Sequence, residues 1–176
     1  MNNSEEHLLN LDNENEELAA QVIDYANRLG LSIGCAESCT GGLIAQTITR
    51  VSGSSAVFVG GIVSYACSVK ESVLGVDASI FKNEGVVSET CASAMAKGAV
   101  KALNCDMAVS TTGIAGPSGA LPGKPVGTVC FGLHFKGKTK TITTCKGESR
   151  KEVRLLSTKT ALLLMLDVLK EEMSSN

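Results

Sequence analysis

Ser38 lies in the run Ala36-Glu37-Ser38-Cys39-Thr40-Gly41-Gly42. An apolar stretch (Leu31, Ile33, Cys35) stops there, and an amphipathic helical pattern (Leu43, Ile44, Ile48, Val51) begins just after it. A serine and a threonine therefore share a strand-to-helix junction with two glycines. The first amides of a helix lack intrahelical partners and carry partial positive charge, so they can hold an oxyanion or a phosphate. Glycine lets backbone approach a ligand closely. A hydroxyl beside such amides is one arrangement for acyl transfer through a covalent intermediate. Ser38 and Thr40 equally suit a helix cap, and the pattern leaves both roles open.

A serine nucleophile needs a base. The two histidines are poorly placed: His7 is in the acidic N-terminal segment and His134 is inside an apolar strand pattern. That argues against a Ser-His-Asp triad. A lysine whose pKa is lowered by desolvation is the remaining option. Lys70 follows Tyr65 by five residues, so a strand end and the next helical turn can bring both toward one pocket. A half-buried tyrosine and a surface lysine fit the same pattern. No Ser-x-x-Lys motif of the penicillin-recognising kind is present. The run Ser110-Thr111-Thr112-Gly113-Ile114-Ala115-Gly116-Pro117 is a further polar strand end. It matches neither the P-loop nor the dinucleotide fingerprint, and it reads as a phosphate cradle or as a structural turn. Arg150 and Arg154 are one turn apart at the start of the last helix, where their planar forks suit phosphate or carboxylate. An exposed face paired with Glu148 or Glu152 is the plainer alternative.

The elements that must position these residues follow from periodicity. Residues 1–14 are polar and acidic, and a disordered tail is expected there. Helical spacing runs from Glu16 to Leu29 and ends at Gly30. Strands are predicted over 31–36, 57–65, 105–111, 126–135 and 139–146. Helices are predicted over 40–51, 67–74, 77–83, about 88–103 with Ser88 as cap, and 150–171. Lys136-Gly137-Lys138 reads as a hairpin turn. Helices interleaved with strands imply a layered α/β domain, and the hairpin forces an antiparallel pair, so the sheet should be mixed. Ligands of open α/β sheets gather at the carboxyl ends of strands, where all three polar segments fall.

Bulk composition narrows the function classes. The 176 residues suit one domain, and a net charge of −2 gives no global field for nucleic acid or anionic membrane. With four Phe, two Tyr and no Trp, the surface is poorly equipped to stack bases. Residues 1–18 carry six acids and no base, whereas residues 134–160 carry eight Lys or Arg against two Glu. That basic stretch is either a solvated face or a local anion site. Seven cysteines at irregular spacing, without a Cys-x-x-Cys pair, point to reduced thiols in a cytoplasmic protein rather than to disulfides or zinc. No signal peptide or membrane-length apolar run is evident.

Together these segments resemble the carboxy-terminal domain family of the competence/damage-inducible protein CinA. The matching stretches are 36–42, Gly53-Ser54-Ser55, Tyr65 with Lys70, Leu74-Gly75-Val76, Gly85-Val86-Val87-Ser88, 112–117, Lys124-Pro125-Val126-Gly127-Thr128-Val129, and Arg150 with Arg154. They cover roughly residues 16–170. The resemblance implies a three-layer α/β/α sandwich with a mixed, mostly parallel sheet, forming one amidase domain over 15–176. It implies hydrolysis of nicotinamide mononucleotide to nicotinic acid mononucleotide and ammonia, without cofactor or metal. By position, Ser38 would be the nucleophile, Lys70 its base and Tyr65 an aligning or relaying group. Amides of Thr40, Gly41 and Gly42 would stabilise the oxyanion. Thr112, Gly113, Ala115, Gly116 and Arg150 would hold the nucleotide. The family usually reads Gly-Asp-Arg before the last helix, whereas this chain reads Gly147-Glu148-Ser149-Arg150. Larger members carry an additional amino-terminal, molybdopterin-binding-like domain. A nucleotide-binding module without chemistry, or an amidase for another phosphorylated amide, would use the same pocket. Ala-rich and Leu-rich helices over 88–104 and 150–170 could pack on the sheet or in a homodimer.

Overall fold

A computed structural model describes residues 3–175. Its elements run α1 (Asn3–Leu29), β1 (Ile33–Glu37), α2 (Leu43–Arg50), a 3-10 turn, β2 (Phe58–Val63), α3 (Cys67–Leu74), α4 (Ala78–Asn83), α5 (Glu89–Leu103), β3 (Met107–Gly113), β4 (Thr128–Phe135), β5 (Lys138–Cys145) and α6 (Arg150–Ser175). The strands form one sheet in the order β2-β1-β3-β4-β5. β1 pairs in parallel with β2 and β3, while β4 is antiparallel to both β3 and β5. By direction, therefore, β4 alone runs against the others, although parallel and antiparallel pairings are equal in number.

Helices α1, α2 and α6 cover one face, over a core of Ile33, Ile44, Ile48, Met107, Phe131, Leu162 and Met165. Helices α3, α4 and α5 cover the other, around Ala36, Leu74, Cys91, Met95 and Ala108. The result is the expected three-layer α/β/α sandwich. Burial follows sheet position. Every residue of β1 is buried, whereas the edge strands β2 and β5 alternate between more and less covered residues.

The chain leaves β1 through α2 to β2, then returns across the opposite face through α3–α5 to β3 on the other side of β1. The carboxyl ends of β1 and β3 thus border the point where strand order reverses, the favoured crevice of open α/β sheets. Close packing fixes α3 in this frame. A Cβ on Gly98 of α5 would fall 2.0 Å from the Leu74 carbonyl oxygen at the end of α3, so only glycine fits there.

The expected disordered tail over 1–14 is corrected from residue 3 onward, with Met1 and Asn2 outside the described residues. α1 extends back to Asn3 because that segment has partners on α6 and α2. Leu11 is buried, and the buried Asn15 donates to the Leu155 carbonyl at 3.0 Å. His7 meets Glu152, Asp12 and Glu16 meet Arg50, and Glu14 meets Lys159. The acidic start of the chain is therefore partly matched to later basic residues.

Candidate active site

The Ser38 loop begins where β1 runs out of partners. The ladder persists one step further on each side: Ser38 N–H donates to Thr111 O at 3.0 Å, and Ser64 N–H donates to Glu37 O at 2.8 Å. Beyond it, Gly41 and Gly42 adopt φ of 59° and 94°, a left-handed turn that delays the helix to Leu43. Neither Ser38 nor Thr40 caps α2. Glu37 does so, although it is fully buried on the strand. Its carboxylate accepts from the amides of Gly42 (2.9 Å), Ile44 (3.1 Å) and Ala45 (2.9 Å), and from the Cys35 thiol (3.4 Å). A buried charge is tolerable when its oxygens meet several donors, and a helix start supplies them.

This corrects the expected oxyanion site. The Gly42 amide is spent on Glu37, and the Gly41 amide donates to Ser38 O at 3.1 Å. The Thr40 amide faces the Cys39 sulfur, so each of the three expected donors already has a partner. The Thr40 hydroxyl pairs with that of Thr111 at 2.8 Å, and its carbonyl is clamped by Arg154 Nε (3.1 Å) and Nη2 (2.6 Å). Arg154 thus holds the loop rather than facing solvent.

Lys70 reaches the same loop from the opposite layer. Its ammonium nitrogen lies 3.1 Å from Ser38 Oγ, 2.6 Å from Ser64 O and 3.2 Å from Tyr65 O. Lys70 is 0% exposed and Ser38 8%. Lys70 and Leu74, one turn apart, form the inward stripe of α3, while Val73 is 47% exposed. The apolar pattern points the other way, so a surface lysine is the natural sequence reading. Burial pushes the Lys70 pKa below its ordinary value of 10.5, against the opposing pull of nearby Cys91, Cys67, Cys39 and Tyr65. A neutral amine has two N–H donors and one lone pair. As an ammonium, Lys70 donates to Ser38 Oγ and both carbonyls; as a neutral amine it would keep its two donors for the carbonyls and its lone pair for the Ser38 proton.

Tyr65 and Lys70 exchange the environments pattern suggested. Tyr65 is 64% exposed, and its contact with Lys70 is through its main-chain carbonyl. Its phenol oxygen is 3.5 Å from Arg150 Nη2, so it borders the site and does not bridge Ser38 and Lys70. Arg150 opens α6 and also donates to Gly116 O at 3.0 Å. It therefore joins the β2–α3 junction to the loop after β3, despite the altered run before it. In that loop, Thr112 donates its hydroxyl to Val86 O at 2.8 Å, a structural tie. Gly113 closes β3 beside the Thr128 carbonyl, and Ala115 is buried. Gly116 has φ 79° and precedes a cis proline. Thr112 and Gly113 shape the rim; Gly116 meets Arg150.

Cys39 adjoins Ser38 but would be a poor nucleophile. Burial raises its thiol to about 11, partly offset by bonds from the amides of Cys39 and Thr40 and from Thr111. At neutral pH it stays protonated. Among the described residues, no group of three or more His, Cys, Asp or Glu side chains is placed to hold a metal ion. No described helix is long and apolar enough to cross a membrane.

Comparison with known proteins comes from both sequence and shape. Residues 15–169 match the family described as CinA C-terminal domain. A CinA-like protein of Mycolicibacterium vanbaalenii is 46% identical over 137 residues, covering 77% of this chain and 32% of that protein. The chain spans about a third of the length of that curated relative. The competence/damage inducible protein CihA of Agrobacterium tumefaciens superposes with a TM-score of 0.85 at 41% identity, covering 89% of this chain and 95% of that one. The competence damage-inducible protein A of Klebsiella pneumoniae gives 0.86 at 31% identity, covering 89% and 97%.

Proposed function

Because this chain belongs to the CinA C-terminal domain family, we propose that its site hydrolyses the carboxamide of nicotinamide mononucleotide through a Ser38 acyl-enzyme, with Lys70 as base. The observation that carries this reading is the 3.1 Å approach of Lys70 Nζ to Ser38 Oγ at a buried position. A binding module would have no use for a desolvated amine on a serine hydroxyl.

Neutral Lys70 takes the Ser38 proton as Oγ bonds to the amide carbon. Lys70 then returns its proton to the leaving nitrogen, the C–N bond breaks, and ammonia departs. Water repeats the sequence in the second half. It gives a proton to Lys70, its oxygen bonds to the acyl carbon, and Ser38 recovers its hydrogen as the acid leaves. The positive pyridinium ring of the substrate already polarises the carbonyl. Arg150, beside Gly116 and Tyr65, would pair with the phosphate.

The test is ammonia release from nicotinamide mononucleotide by wild type and Ser38→Ala. Release by the first and not the second supports the reading. Binding of the mononucleotide without release from wild type would favour the module. Release from other phosphorylated amides but not this one would keep the chemistry and change the substrate.

A further inference from the structure

Ser64 is a buried hydroxyl that the mechanism leaves unused. It is 0% exposed, and its Oγ meets no hydrogen-bond partner in the protein. An unpaired buried hydroxyl carries a desolvation penalty and calls for a reason. Ser64 lies between β2 and α3, held by its amide to Glu37 O at 2.8 Å and by its carbonyl to Lys70 Nζ at 2.6 Å. Its side chain is therefore within one residue of the amine that must gain and lose a proton.

We propose that the Ser64 hydroxyl is a positioning group for Lys70, a free rotor that turns its oxygen toward the ammonium while Lys70 holds the Ser38 proton. This rests on the Ser38–Lys70 reading above. When Lys70 is neutral, the two carbonyls occupy its N–H donors and Ser64 has nothing to accept. When Lys70 is charged, its third donor meets Ser38 Oγ at 3.1 Å, but a full positive charge appears at a site without exposed surface. The carbonyls of Ser64 and Tyr65 are fixed in the backbone, but a hydroxyl can reorient. It therefore favours the charged state selectively and moderates the effect of burial on the base. The titratable groups around Lys70 are Cys39 after β1, Tyr65 before α3, Cys67 on α3 and Cys91 on α5. Burial raises the Cys39 and Cys91 thiols to about 11.

The experiment follows the Lys70 Cε resonance by NMR in protein labelled with carbon-13 lysine, without substrate, assigned by its loss in Lys70→Arg. In Ser64→Ala the Lys70 midpoint should fall by roughly one pH unit, the size expected for a lost bond to a charged group. The melting temperature should stay level or rise, because an unpaired hydroxyl has been removed. Ser64→Thr should restore the midpoint. An unchanged midpoint in folded Ser64→Ala, or no restoration by Thr, overturns the proposal. Should Ser64→Ala fail to fold, Ser64→Cys keeps the shape with a weaker acceptor. Its midpoint must fall in the same direction, and an unshifted one counts against Ser64. Since the readout needs no turnover, absence of ammonia release from wild type would defeat the amidase reading while leaving the Ser64 result interpretable.

Discussion

At the scale of single residues, the proposed chemistry depends on burial lowering the pKa of an amine below that of a surface lysine. Ser38→Ala removes the attacking oxygen but none of the groups that shape the rim. It should lower kcat by at least about 10³-fold while leaving Kd for the mononucleotide nearly unchanged, by single-turnover kinetics and calorimetry. Activity should rise with pH along a limb set by deprotonation of Lys70, and that limb should lie below the ordinary lysine value of 10.5. Burial disfavours the charged form, so the shift is downward; a limb at or above 10.5 would contradict a desolvated base. The neighbouring thiol should be inert. Iodoacetamide at neutral pH should modify the exposed Cys67 and Cys145 and spare Cys39, whose thiol is pushed up to about 11, as peptide mass mapping would show.

At the scale of elements, Glu37 joins β1 to α2 and fixes the loop between them. Three amides and a thiol converge on one carboxylate. Glu37→Gln replaces an acceptor-only group with one that also presents N–H donors to N–H donors. It should cost about 2 kcal/mol or more in urea unfolding, since bonds to a buried charge are lost and an amide is left unpaired. The helix that carries Lys70 depends on a different close contact. Gly98→Ala would drive a methyl group into the Leu74 carbonyl, so α3 must shift. Loss of about 1–3 kcal/mol is expected, with kcat falling as Lys70 moves from Ser38.

At the scale of the molecule, α1 and α6 pack along one another and tie the start of the chain to its end. Leu11→Ala should therefore destabilise by about 2–3 kcal/mol in chemical denaturation, whereas a frayed segment would show no change. The buried thiols give the whole fold an alkaline limit. Cys39, Cys91 and Cys105 each titrate near 11 in the folded state against an ordinary 9.0, chiefly through burial. The folded state thus binds more protons between those values, so their contribution is present below pH 9 and is lost as pH climbs toward 11. Melting temperature should fall between pH 8 and 10.5, and the fall should be smaller in Cys105→Ala.

Local chemistry carried much of this protein. Apart from the start of α1, hydrophobic periodicity located the strands and helices to within a few residues, because side chains on a pleat or helix repeat at fixed spacing. The polar strand ends at 36–42, 65–70 and 110–117 were visible as breaks in those patterns, as was the Ser88 cap of α5. Tertiary structure decided what the residues there do. Lys70 looks like a surface residue because Val69 and Val73 mark a different face of α3, and packing of α3 on α5 turns it inward. Glu37 reads as one polar residue in a motif, yet its carboxylate takes the helix amides that seemed free for a ligand. The acidic start of α1 has too little apolar surface to order itself, and α6, more than a hundred residues later, supplies what it lacks. Spacing along a chain determines which face a side chain shares with its neighbours. Desolvation, and therefore charge, is set by what arrives from the rest of the fold.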